Sequence, residues 1–482
     1  MSDPGLLIVR AILVIPAACA LLLALLPDDR TTARLNVLGT LATLLCALAL
    51  FFVRPLPGPF LIVDDVNVVF IVLNTFVSFT TSIFSASYIA HELQIGRLTH
   101  TYLRFYHAMY QTLMFAMNLA LLANNVGLMW VAIELATLTT VLMVGIYRTH
   151  EALEAAWKYF ILGSVGIALA LFGTILVYLA ASSVLGEGLD AMAWSVLVQR
   201  APEFDPALLN LAFVFLLLGY GTKVGLAPLH AWLPDAHAEG PTPISAVLSG
   251  LLLNVALFAL LRFKMVMSAN EQALAPGPLM VSLGLASVVF AAFMLYRRVD
   301  IKRMFAYSSI EHMGIISFAF GMGGPLANFA GLLHMVMHSL TKSAIFFAVG
   351  HIAQVKGTQQ MAAIRGLTAS HPILGWGLVL GVIAIVGLPP TGIFMSEFLI
   401  LTSTFARAPA LAIVLALGLL VALGALLYRL NGLAFGAEHG SNAPAEASFL
   451  PMFTHLGLVL LAGIFLPGPL VSWFQHVAEL LR

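Results

Sequence analysis

Apolar stretches of about twenty residues recur along almost the whole chain, and this one pattern decides what it can fold into. A helix of that length crosses the ~30 Å hydrocarbon layer of a bilayer. In lipid every backbone N–H and C=O must find its partner within the protein, so segments of this length span as helices. About fourteen can be placed, near 5–27, 33–53, 64–90, 107–124, 126–147, 156–184, 206–233, 242–266, 276–296, 301–322, 326–350, 373–404, 408–432 and 449–474. The chain is 61% hydrophobic and 9% charged, where soluble domains carry about 25% charged residues. The expected fold is an all-α polytopic membrane protein, with residues 1–482 forming one membrane domain and no soluble one. Leu6 to Leu26 is apolar for a full span and lacks a small-residue cleavage site, so it is expected to be the first membrane helix.

A formal net charge of zero gives no reason to expect a nucleic-acid partner. Cys19 and Cys46 lie in apolar runs, with no C-x-x-C and no Cys/His cluster. No iron–sulfur, zinc or disulfide framework is therefore expected in this chain. If the N-terminus is outside and the spans alternate, the inner loops hold thirteen basic residues, among them Arg97, Arg297, Arg298, Lys302 and Arg303. Seven fall outside, including Arg54, Arg200, Arg262, Lys264 and Arg482. This bias favours both termini on the periplasmic side of a bacterial inner membrane.

Within this apolar chain, Gly221 to Pro243 stands apart: G-T-K-V-G-L-A-P-L-H-A-W-L-P-D-A-H-A-E-G-P-T-P. Lys223 sits well inside an apolar run with no counter-charge beside it. A lysine at that depth costs roughly 2.5–3.5 kcal/mol on insertion scales, so it is normally kept for a job. Snorkelling to the interface suits a lysine at the edge of a run better than one inside it. Pro228 should break or bend the helix, and His230, Asp235, His237 and Glu239 follow within about two turns. A broken membrane helix is tolerated where its freed backbone faces protein or a water-filled cavity. Lys223 is thus expected to line a polar path.

A second break is expected in 373–404, where G-L-P-P-T-G occupies Gly387 to Gly392 and Glu397 follows. The breaks near Pro228 and Pro389 lie five spans apart, an odd spacing that turns two five-helix units upside down relative to each other. The units would cover about 107–266 and 276–432, flanked by helices at 5–90 and 449–474.

Other titratable groups sit inside the spans. Glu134 is mid-span in W-V-A-I-E-L-A-T. His334, His338 and Lys342 follow one another at spacings of four, on one helix face with turns about 6 Å apart. A proton can step between such groups directly or through one water. Each histidine alone could equally be a core histidine bonded to a carbonyl. A metal on His334 and His338 has little in its favour, since no carboxylate ligand lies near them in sequence. Glu311 and His312 fit either a polar contact between helices or a part in proton uptake. A desolvated lysine loses its proton more readily, and a nearby carboxylate opposes this. Moving or protonating the carboxylate therefore switches whether the lysine holds a proton, with no redox centre required.

These residues carry a resemblance. The chain resembles the antiporter-like membrane subunits of respiratory complex I, of multi-subunit sodium/proton antiporters and of group 4 membrane-bound hydrogenases. The motifs are W-V-A-I-E-L-A-T, W-K-Y-F-I-L-G-S with Lys158, K-V-G-L-A-P-L-H-A-W-L-P-D-A-H-A-E-G-P-T-P-I-S-A, D-I-K-R-M-F-A-Y-S-S-I, H-M-V-M-H-S-L-T-K-S-A-I-F-F and G-L-P-P-T-G-I-F-M-S-E-F. F-Y-H-A-M-Y-Q-T-L-M-F and Y-S-S-I-E-H-M-G-I are similar to the hydrogenase-4 component F subgroup. The resemblance implies fourteen helices, two inverted repeats and a central proton pathway through Glu134, Lys223, His334, His338, Lys342 and Glu397. Lys158, His230, Asp235, His237, Glu311 and His312 would be secondary. Asn254 stands where many relatives carry a second lysine, and asparagine can relay through water but cannot store charge.

The resemblance further implies a proton-translocating subunit of a hydrogenase or formate hydrogenlyase type complex. Such a chain has no catalytic residue or cofactor of its own, and the iron–sulfur clusters and nickel–iron site belong to partner subunits. Other membrane and peripheral subunits, lipid and protons are the expected partners, with sodium as the alternative ion. A proton channel in a carbon dioxide hydration system and a sodium/proton antiporter component are the other readings.

Overall fold

The computed structural model describes residues 3–26, 28–438, 443 and 448–481. Arg482, counted above among the outer basic residues, lies outside them. The first part holds α1 Pro4–Leu25, α2 Asp29–Ala49, α3 Asp65–Gln94, α4 His100–Leu122, α5 Val126–Val144, α6 His150–Leu185 and α7 Trp194–Arg200. The interrupted middle holds α8 Pro206–Val224, α9 Leu233–Glu239, α10 Thr242–Val247 and α11 Leu253–Ala269. Then come α12 Gly277–Tyr296, α13 Ile301–Met322, α14 Pro325–Lys356, α15 Leu367–Ser370, α16 Pro372–Ile385, α17 Gly392–Arg407, α18 Pro409–Ala434, α19 Leu450–Ile464 and α20 Gly468–Leu480.

Among the described residues, ten helices, with α10 and α11 as one, are long and apolar enough to cross a membrane, and the pair α19–α20 makes an eleventh if it is one span. The three remaining expected spans are α4, α13 and the interrupted α16–α17. Polarity is what sets the first two apart. α4 buries His107, Gln111 and Asn118, and α13 buries Lys302, Glu311 and His312. In α16–α17 each half is short, 14 and 16 residues. The expected last span, 449–474, is not straight: α19 and α20 meet at 81° across residues 465–467.

The core of the molecule is a central axis rather than a sealed globule. The apolar window of Thr242–Ala269 is 100% buried and that of α14 94%, against 28% for α1 and 33% for α18. The outer helices turn leucine, phenylalanine and valine outward, as lipid allows. Helices approach closely where side chains are small. A Cβ on Gly219 of α8 would stand 2.4 Å from Ala170 N of α6, so the two backbones touch there.

α3 crosses from Asp64 and Asp65 at one face to Glu92 at the other. At the first face Asp65 meets Arg54 (2.6 Å) and His476 (3.3 Å), and its carbonyl accepts from Trp473 Nε1 (3.0 Å). Gly5 lies against the backbone of Arg54 and Pro55. Both described ends of the chain therefore share one face, which requires an even number of crossings.

Both predicted breaks are present. α8 stops at Val224 on Gly225 in the left-handed region, φ 81°, three residues before Pro228. Its freed carbonyls do not go bare: Trp232 Nε1 donates to Thr222 O at 2.8 Å. Ser287 Oγ accepts from Ala227 N at 2.8 Å. α16 stops at Ile385, Gly387 takes φ 66°, and Thr391 caps α17 through Phe394 N. A third irregularity was not foreseen. Leu248–Leu252 forms a π-helical turn between α10 and α11, where Ser339 Oγ of α14 reaches the freed Gly250 carbonyl at 2.5 Å.

Candidate functional site

Titratable side chains gather at the two breaks. At the first, Lys223 lies in the last turn of α8, where the helix carbonyl end favours a cation. Its ammonium donates to Thr137 Oγ1 at 2.7 Å and stands 3.8 Å from Glu134 Oε2. Glu134 and Thr137 are three residues apart on α5, so one helix face presents both. The Tyr159 ring lies 5.9 Å from the ammonium, and Gly163 leaves room that a Cβ would fill at 3.0 Å. Tyr159 is held in place by Thr140 (2.9 Å) and by stacking on Trp232 (4.2 Å). Lys223 is 1% exposed, so its charge meets protein groups rather than water.

At the second break, α13, α14 and α17 converge. His312 Nδ1 and His334 Nε2 are 2.9 Å apart, and His334 Nδ1 meets Ser396 Oγ at 2.9 Å. Glu397 Oε1 lies 4.0 Å from His312 Nδ1. Glu397 fits beside Gly387, where a Cβ would come within 2.1 Å of Oε2. Glu311 and Glu397 share a cavity of about 280 Å³. His338 packs its ring on His312 with centroids 5.6 Å apart, and neither of its nitrogens has a partner among the described residues. Lys342 donates to Phe305 O at 2.8 Å, with the Phe305 ring 5.6 Å away. No carboxylate lies near His334 and His338 in sequence, but one does in space. Glu397 comes from another helix, and His334 pairs with His312 rather than with His338.

Between the clusters lies the π turn. Asn254 Nδ2 donates to Ser339 Oγ (2.7 Å) and Met335 O (3.1 Å), tying α11 to α14. Asn74 and Asn254 border a space of about 10 Å³, room for roughly one water. His237 stacks on Phe346 at 4.9 Å, with both nitrogens unpartnered among the described residues. His230 packs against Phe290 and Tyr307. The structure thus draws Glu134 to Lys223, and Glu311, His312, His334 and Glu397 together. Lys223 and Lys342 remain in separate clusters.

Lys158 and Asp235 belong to the Glu92 face instead. They form a close ion pair, and Asp235 also meets Arg303 at 3.0 Å. Arg303 reaches Glu239 at 3.2 Å, and Lys302 donates to Gly240 O at 2.8 Å. Several site residues escaped the sequence reading: Thr137, Tyr159, Ser339, Ser396, Lys302 and Arg303. Thr137 and Ser396 were within reach, since each sits beside a singled-out carboxylate in the same motif. Tyr159, Ser339, Lys302 and Arg303 also stand inside the quoted motifs, but nothing there shows which groups they face.

Residues 123–423 match the family described as NADH:quinone oxidoreductase/Mrp antiporter, TM. A hydrogenase-4 component F homolog of Methylacidiphilum infernorum (isolate V4) is 62% identical over 98% of this chain and 99% of its own length. The chain belongs to this antiporter-like family. NADH-quinone oxidoreductase subunit M of Escherichia coli (strain K12) is 32% identical over 55% of this chain and 52% of its own length. Among solved structures, a chain of the archaeal membrane-bound sulfane sulfur reductase superposes with a TM-score of 0.86, at 22% identity over 98% of this chain and 97% of that one. A chain of the Mrp complex from Dietzia sp. DQ12-45-1b gives 0.82, at 17% identity over 99% and 97%. A chain of respiratory complex I from Thermus thermophilus gives 0.81, at 24% identity over 98% and 100%. At these identities the structures speak to the fold. The antiporter-like fold is shared along nearly the full length, and both clusters lie within the matched residues.

Proposed function

We propose that the chain is a proton-translocating antiporter-like subunit of a membrane-bound oxidoreductase complex, of the hydrogenase or formate hydrogenlyase type. The observation that carries this reading is the Glu134–Lys223 pair: a carboxylate and an ammonium 3.8 Å apart, in the interior of a membrane protein, at a break in a helix. Such a pair is costly in lipid and is retained where charge must move. The 62% identical relative, named for hydrogenase-4, supports the choice of complex. Redox chemistry then belongs to partner subunits carrying iron–sulfur clusters and a nickel–iron site.

In this reading Glu134 governs Lys223. While the carboxylate is ionised it holds the ammonium; when it is protonated or withdrawn, Lys223 releases its proton inward. Asn254, Ser339 and His237 border the middle of the route and pass the proton through water. Lys342, His338, His334 and His312 take it to Glu311 and Glu397, whose cavity is the exit. Lys158, Asp235 and His230 act at the Glu92 face, which is the cytoplasmic side of a bacterial inner membrane, with both termini periplasmic. The two breaks belong to inverted repeats at about 107–266 and 276–432 within one membrane domain.

The test is Lys223→Met in the complex reconstituted with its partners. Proton uptake should fall at least tenfold and coupled turnover with it. Uptake and turnover at the unsubstituted level would overturn the assignment.

A further inference from the structure

The cluster at the second break has the makings of more than a proton relay. Three ligand atoms, one each from His312, His334 and Glu397, lie within 4.8 Å of one another, and all three residues are buried. They come from α13, α14 and α17, so no helix alone reveals the set. Two imidazoles and a carboxylate are the ligand types that zinc and its neighbours take, with a fourth position left open. The two facing nitrogens stand 2.9 Å apart. Two ligands on a tetrahedral ion stand about 3.3 Å apart, so a few tenths of an ångström of opening admits one.

The surroundings repeat what metal centres require. Metal-bound imidazoles are oriented by hydrogen bonds from their other side. His334 Nδ1 already meets Ser396 Oγ at 2.9 Å. A buried dication must also be neutralised. Glu311 shares the Glu397 cavity, is 3% exposed, and has one buried oxygen without a partner among the described residues. Two carboxylates match the charge of the ion itself. Glu311 and Glu397 are the charged side chains that line the 280 Å³ cavity beside the site.

We propose that His312, His334 and Glu397, backed by Glu311, bind a first-row divalent cation of the zinc type, and that the bound ion stops proton passage by occupying the His312–His334 contact. The blocking half rests on the proton-route reading above; the binding half does not.

The full chain, purified in detergent and stripped with chelator, would be titrated with Co²⁺ and followed by visible absorption, then challenged with Zn²⁺. One Co²⁺ per chain is expected, with the intense bands of four- or five-coordinate cobalt, displaced by Zn²⁺. His334→Asn and Glu397→Gln should each weaken binding tenfold or more. His334→Cys should keep the ion and add a thiolate-to-cobalt band, a readout that holds if the asparagine variant fails to fold. Weak octahedral bands only, unchanged binding in H334N, or no thiolate band in H334C would each overturn the site. In liposomes Zn²⁺ should stop proton flux in the wild type over the concentrations that displace Co²⁺ from the site. Cobalt binding with no effect of Zn²⁺ on flux would sink the block and leave the site; no flux in the metal-free chain, with cobalt binding intact, would sink the route.

Discussion

Lys223 shows what a cation needs in order to stay in oil: a hydroxyl at 2.7 Å, a carboxylate at 3.8 Å and the carbonyl end of its own helix. Arg262 meets the same need differently. It is 1% exposed, pairs with Asp64 at 2.7 Å and lies over Trp194 at 3.9 Å. Asp64 also caps α3 through Asn67, which asparagine can do as well. Asp64→Asn therefore isolates the effect of stranding the guanidinium. We expect a loss of about 2 kcal/mol, below the 3–5 kcal/mol of a fully buried pair because Asp64 is partly exposed. Thermal unfolding in detergent would show it as a lower midpoint, and an unchanged midpoint would mean that Trp194 suffices. At this scale much was legible. A lone lysine or glutamate in an apolar run announces itself, as Lys223, Glu134 and Glu397 do. Partners do not: that His312 rather than His338 faces His334 depends on how α13 lies against α14, which no local pattern encodes.

Helix breaks are the element that matters here, and their glycines make a sharp comparison. Gly225 and Gly387 both hold positive φ, 81° and 66°. Alanine in that conformation costs roughly 1–2 kcal/mol. At Gly225 the new Cβ would meet only the flexible tip of Leu233, at 2.9 Å. At Gly387 it would meet Glu397 Oε2 at 2.1 Å, and the carboxylate must move. Gly225→Ala should lower thermal stability and leave proton flux within about twofold. Gly387→Ala should lower both, with flux falling far more than stability. Equal flux in the two variants would argue against a role for the Glu397 position. Pro228 and Pro389 made both breaks readable, since proline cannot continue a helix. The π turn at Leu248–Leu252 was not readable. Ser339 and Ser343 of α14 stand where a Cβ on Gly250 would be, and Ser339 bonds its carbonyl, a contact between helices rather than a property of the segment.

For the molecule as a whole, the alternation of spans makes a directional claim. Reporters fused after Arg298 and after Asp205 should fall on opposite sides of the membrane, and reporters on the same side would break the topology. The shared face of the two described ends agrees with an even number of crossings. The number itself was only partly legible. α4 and α13 are long but polar, because their polar side chains face the protein interior instead of lipid. The 81° turn before α20 was hidden because an apolar run reads alike whether it crosses the membrane or folds back.

Asp235 has a wider reach than its place at the protein's rim suggests. A single negative charge there serves two cations, Lys158 from α6 and Arg303 from α13. When either withdraws, the other is held more tightly, since the two cations no longer repel each other across the carboxylate. A shift of one helix is thereby felt at the next without crossing the apolar middle. The rim can act as a balance beam, with Asp235 as its pivot.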